Sequence, residues 1–111
     1  SWLPLVAWRL DLQYDDLRAE VPFLTEPPSA GIRRQVYVTT HRLERPTDPA
    51  ALPALVAAIG GPGRLLFASN RPHYNADDLH ALDRLALTPE ARRDVLGGNA
   101  RAVFALGDGP A

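Results

Sequence analysis

Apolar positions recur along the chain at two periods, and the change from one to the other marks out the elements. Residues 3–21 carry Leu3, Val6, Leu10, Leu17 and Val21 at spacings of three, four and seven. That repeat lines one face of a helix and predicts one over 3–21, ended by Pro22. Trp2 and Trp8 are expected to pack into or against the core beside this stripe. After Pro27-Pro28, Ser29 is placed to cap a short helix over Ala30 to Arg34. Val36-Tyr-Val-Thr-Thr40 is β-branched and aromatic and reads as a strand over 36–40. Leu52, Leu55, Val56 and Ile59 then return to the helical period within a helix over 49–59. Pro53 is tolerated there only in the first turn. Gly60-Gly-Pro-Gly63 stops that helix.

The chain turns next on residues 64–75, Arg-Leu-Leu-Phe-Ala-Ser-Asn-Arg-Pro-His-Tyr-Asn. An unbroken apolar run, Leu65 to Ala68, gives way at once to small polar residues, a proline and a histidine. A short run of this kind fits a strand over 64–68 buried on both faces. Strand 36–40, helix 49–59 and strand 64–68 make a βαβ unit, which requires parallel strands. In such α/β folds ligands lie beyond the carboxyl ends of the strands, so Ser69, Asn70 and His73 are the first candidates for chemistry.

Downstream, Asp77 or Asp78 opens a helix with Leu79, Leu82 and Leu85 inward. Thr88-Pro89-Glu90 combines a capping hydroxyl, a proline at the first helical position and an acid in the first turn. That helix is expected to end at Gly97-Gly98. Asn99 then opens a last one, capping or bracing it, and residues 107–111 form a frayed terminus.

Composition narrows the picture. With 46% apolar and 23% charged residues the balance is globular. A net charge of -1 gives no field for nucleic acid or an anionic membrane, so neither is expected as a partner. The absence of cysteine excludes disulfides and thiolate metal sites. No apolar run approaches the roughly 18 residues of a membrane span, and a cytoplasmic location is the expectation. Gly60-Gly-Pro-Gly63 precedes a strand and not a helix, the wrong order for binding phosphate.

The order of these motifs resembles the C-terminal end of the amidohydrolase-related family. These are metal-dependent hydrolases and decarboxylases built on a (β/α)8 TIM barrel. Their closing strand runs into a Ser-Asp-Tyr-Pro-His type motif, matched here by Ser69-Asn-Arg-Pro-His73. Their ending is matched by residues 87–106, with Gly97-Gly-Asn-Ala100 the most specific part. Ser1-Trp-Leu-Pro4 and the strand near Arg33 to Thr40 look like an actinobacterial-type branch of the family. The resemblance implies an α/β fold in which residues 1–111 are a single partial domain. The two parallel strands, about 36–40 and 64–68, would be the seventh and eighth of a barrel that takes about 250 residues. The family's His-x-His pair would lie upstream of Ser1. Two parallel strands with five helices leave sheet edges to be covered by other residues, which points the same way.

The resemblance also implies a divalent metal in the full-length protein, with zinc the leading candidate, and a small organic molecule as substrate. A homo-oligomer of the full-length protein is compatible with it. The piece itself is expected to bind no metal and to be inactive. In the family an aspartate at the end of the eighth strand binds the metal or its water and takes the proton; the matching residue here is Asn70. An amide is neutral and takes up no proton at ordinary pH. Asn70 is the catalytic and metal candidate under the resemblance, and reads in preference as an altered site. His73 matches the family histidine and is the other catalytic candidate, expected to position the loop in preference to direct catalysis. Arg71 adds positive charge beside the would-be cation. His41 is expected to be solvated or satisfied, His80 to be on the surface, and Asp77 and Asp78 to serve the helix start. The competing reading is a degenerate barrel that binds a small molecule or a partner subunit without turnover.

Overall fold

The structure is a computed structural model, and it describes residues 2–76 and 78–107. Among these, five helices surround a two-stranded parallel sheet. They are α1 (Trp2–Asp16), α2 (Pro28–Gln35), α3 (Ala51–Ala58), α4 (Pro89–Arg93) and α5 (Asn99–Phe104). The strands are β1 (Val38–Thr39) and β2 (Leu65–Leu66). Val38 pairs with Leu65 and Thr39 with Leu66. The ladder extends by one bond, Thr40 N–H to the Leu66 carbonyl at 2.9 Å. The parallel βαβ unit predicted from the sequence is present, with a shorter ladder than its apolar runs suggest.

The core joins Leu3 of α1, Leu52, Val56 and Ile59 of α3 and its end, Leu65 of β2, and Leu82, Leu85 and Val95. The helical repeat therefore placed α3 correctly. Its stop is enforced by geometry. Gly60 and Gly61 have φ of 108° and 88°, values that disfavour any side chain. A Cβ on Gly60 would also lie 3.0 Å from the Arg33 carbonyl oxygen, so the end of α2 packs directly on this turn.

Several expectations are corrected. α1 ends at Asp16, not at residue 21. Turns over 17–24 fold the chain back until the Tyr14 hydroxyl donates to the Leu24 carbonyl at 3.2 Å. The buried face of α1 is Leu3, Pro4, Ala7 and Tyr14, while Val6, Leu10 and Leu17 are exposed. Trp2 and Trp8 are 66% and 59% exposed, so neither is buried in the core, though Trp2 lines a cavity beside Leu3 and Leu52. The reason is that α1 is apolar around much of its circumference, so the neighbour, α2, decides which face is covered. Asp11 belongs to the covered side: its Oδ1 accepts from the Ser29 N–H at 2.8 Å.

Ser29 is accordingly not the cap of α2. Pro27 holds that place, and the orphan N–H of Ser29 is satisfied by a carboxylate from another helix. The Ser29 hydroxyl instead accepts from Arg33 Nη2 at 2.9 Å.

The helix expected near 78 is a 3-10 helix, Leu79–Leu85. Asp78 caps it, accepting from the His80 N–H at 2.9 Å. Leu82 and Leu85 are buried, but Leu79 is 50% exposed. At about 2 Å per residue, Leu79 lies about 6 Å beyond Leu82 along the axis and overhangs the core. Asp77 and residues 108–111, part of the expected frayed end, lie outside the described residues.

Thr88 caps α4, with its hydroxyl accepting from the Ala91 N–H at 3.2 Å. The Gly97-Gly98 pair does not end this helix. A π-turn, Asp94–Gly98, carries it into α5. A Cβ on Gly98 would meet Asp94 Oδ1 at 2.8 Å, so a larger residue there would displace that carboxylate. Asn99 opens α5 as expected, directly after the π-turn, and it braces that helix. Its side chain leaves the helix for the carbonyls of Pro62 and Leu65, at 2.9 and 2.8 Å.

Candidate functional site

Both strands run the same way, so both empty at one end of the sheet. Thr40 joins the two exits. It is 2% exposed, and its Oγ1 accepts from the Ala68 N–H at 3.2 Å. Ala68 is the last apolar residue before Ser69-Asn70, so this bond fixes where the polar segment leaves the sheet.

Asn70 then turns the chain. Its φ is 59°, the left-handed region that asparagine and aspartate enter more readily than other side chains. Its carbonyl accepts from the His73 N–H at 3.0 Å. Its Nδ2 donates to Asn75 Oδ1 at 2.9 Å. Ser69 Oγ accepts a long bond from the Arg71 N–H at 3.4 Å. The Arg71–Pro72 peptide is cis. Asn70 and His73 are thus held in one tight turn, with Asn70 half-buried and the His73 side chain exposed.

His41 sits elsewhere. It lines a cavity of ≈ 530 Å³ between α1, β1 and α3, with Leu3, Thr39, Leu55 and Ile59 among the other walls. Neither Asn70 nor His73 reaches that cavity. The cavity runs alongside β1 and reaches past its carboxyl end, where Arg42, Leu43 and Glu44 also line it.

A second link across the strand exits comes from Arg84. Its Nη1 donates to the Leu43 and Glu44 carbonyls at 3.5 and 3.4 Å, and its Nε to the Ala81 carbonyl at 3.3 Å. It ties the segment after β1 to the segment after β2. Sequence reasoning missed Arg84, Thr40 and Asn75. Thr40 carried a signal, a hydroxyl on the last residue of a predicted strand. The other two carried none, because their partners are remote or depend on the left-handed turn at Asn70.

Charge perturbation occurs away from this turn. Asp83 is held below the ordinary carboxylate range, first by the hydrogen bond from Arg92 and then by that from His80. Arg92 Nη1 reaches Asp83 Oδ1 at 2.6 Å, and His80 Nδ1 lies 3.3 Å from Asp83 Oδ2. His80 is on the surface, as its sequence position predicted. Glu26 is likewise held low by the hydrogen bond from Arg34. These are exposed ion pairs with a structural role.

Among the described residues no three His, Cys, Asp or Glu side chains converge to hold a metal ion. Asn70 and His73 alone do not fit a divalent cation. One is a neutral amide already engaged by Asn75, and a stable site takes three or four donors. The two residues therefore do not make a cation site by themselves.

A parallel βαβ pair with polar segments at its strand exits defines an α/β arrangement. The model of the amidohydrolase family matches residues 2–106, and the chain belongs to that family, whose members are generally metal-dependent barrel enzymes. No curated protein matches the chain significantly. No helix among the described residues is long and apolar enough to cross a membrane.

Proposed function

We propose that this chain supplies the last two strands and closing helices of an amidohydrolase-type (β/α)8 barrel. The whole protein would hydrolyse C–N or C–O bonds of a small organic substrate, or decarboxylate it. The chain by itself would be inactive. The observation supporting this is the shared exit of β1 and β2, where Thr40 Oγ1 fixes Ala68 immediately before Ser69-Asn70. Family membership over residues 2–106 agrees with it.

In this reading Asn70 and His73 line the mouth of the site. Asn70 can orient a polar substrate group through its amide, but it cannot serve as the base, since it takes up no proton. The divalent metal, zinc as leading candidate, would depend on ligands from outside these residues.

Asn70 also supports a second reading, a barrel that binds a small molecule or partner subunit without turnover. Metal content and turnover of the full-length protein, measured beside an Asn70→Asp variant, separate the two. Aspartate tolerates the left-handed φ of 59° as asparagine does, so the backbone should be preserved. Metal and turnover in the parent at the variant's level support the enzyme. Metal and turnover only in Asn70→Asp support the degenerate site. A folded full-length protein lacking both in either form would overturn the hydrolase reading.

A further inference from the structure

A second cleft, of ≈ 400 Å³, opens between the segments that follow the two strands. Arg45, from the segment after β1, forms one wall. Ala76, Asp78, His80, Ala81 and Arg84, from the segment after β2, form the rest. The cleft adjoins the turn of Asn70 and His73, since the Ala76 N–H donates to the His73 carbonyl at 3.1 Å. It is therefore built from the same two segments that carry the candidate chemistry, but its lining is charged.

Its cations are oriented without being neutralised. Arg84 is half-buried. Long hydrogen bonds from Nε and Nη1 hold its guanidinium to the Ala81, Leu43 and Glu44 carbonyls, which leaves Nη2 to donate elsewhere. Among the described residues neither Arg84 nor Arg45 is joined to a carboxylate, whereas Arg34 pairs with Glu26 and Arg92 with Asp83. A charge partly removed from water is costly until an opposite charge comes beside it. Asp78 brings a carboxylate to the wall, and its Oδ1 accepts from the His80 N–H at 2.9 Å. His80 Nδ1 is engaged by Asp83 Oδ2 at 3.3 Å. With His80 counted as neutral, two guanidiniums and one carboxylate leave these walls a single net positive charge.

We propose that this cleft binds the carboxylate of a small organic acid, with Arg84 Nη2 and the Arg45 guanidinium as donors. A guanidinium matches the planar, two-oxygen geometry of a carboxylate. One net positive charge suits a monoanion, and a dianionic phosphate would meet the Asp78 carboxylate with more charge than the walls balance. The volume lies within the range of small-molecule sites, about 300–1,000 Å³, so the rest of the acid fits as well. Ala76 continues into the turn at Asn70 and His73, which gives that remainder a path toward them. The carboxylate is a handle and not the reacting group. This names a substrate class for the site proposed above and rests on that reading for the link to turnover, while the binding rests on the charges of the cleft.

The test uses the full-length protein that carries this sequence. Benzoate is titrated at constant ionic strength, and the side-chain NMR signals of Arg45, Arg84 and Arg34 are followed. The expected result is a saturable shift at Arg45 and Arg84 and none at Arg34, which already has Glu26. Benzamide, of the same shape without the charge, should shift none of them. Arg45 is exposed, so Arg45→Gln should leave the fold intact, and it should weaken benzoate binding about tenfold, the scale of one charge-assisted hydrogen bond. No saturable shift, an equal response to benzamide, or unchanged affinity in Arg45→Gln overturns the proposal. Inorganic phosphate binding there more tightly than benzoate overturns it too. None of these readouts needs metal or turnover. A full-length protein without either would sink the enzyme reading and leave the binding result standing.

Discussion

Asn70 shows what one residue reveals and conceals. Its place at the end of an apolar strand, and its amide where a carboxylate is expected, are both legible in the sequence. Its left-handed backbone and its bond to Asn75 are not, because both depend on how the turn closes. Asp83 offers the clearest pH prediction. Arg92 and then His80 depress its folded pKa below the ordinary 3.8. A depressed carboxylate stabilises the fold above its unfolded pKa, and that stabilisation disappears as pH falls through the folded value. Asp83→Asn should therefore lower the thermal midpoint near neutral pH, and the gap from the parent should close in strong acid. The pair is exposed, so the gap should also shrink in high salt. Parallel melting curves across the whole acid range would contradict the assignment.

At the scale of elements, periodicity located the helices but not their kind or their covered faces. Leu79, Leu82 and Leu85 share one repeat, yet they differ in burial because a 3-10 helix carries its first residue past the core. Leu82 is fully buried, so Leu82→Ala should cost about 2–5 kcal/mol. Leu79→Ala should cost about 0.5 kcal/mol or less, as surface changes do. Denaturant midpoints at constant slope would measure both, and equal losses would refute the packing described. The run from Pro89 to Phe104 illustrates a different limit. Gly97-Gly98 looks like a stop, but a glycine pair equally permits a π-turn. The structure takes the second course, and the Val95 carbonyl within that turn accepts from the Phe67 N–H.

For the whole molecule, the sequence already implied unfinished surfaces, since two parallel strands leave edges uncovered. The shape agrees. The radius of gyration is 16.3 Å, against about 13 Å for a compact domain of this length. Trp2, Leu5, Trp8, Leu12 and Phe104 are more than half exposed. Apolar surface of this kind drives association. The isolated 111-residue polypeptide should form larger species as its concentration rises in light scattering. A monodisperse monomer with cooperative unfolding would contradict this. What the sequence could not disclose was the position of the largest apolar exposure, because α1 has apolar residues on both faces and only the docking of α2 chooses between them.

Arg84 gives the two strand exits a common thermodynamic fate. Its guanidinium holds the Leu43 and Glu44 carbonyls while its own segment follows the turn at Asn70. Any ligand that orders one exit finds the other already restrained. One side chain ties both exits, so a displacement of either one strains the bonds that hold the other.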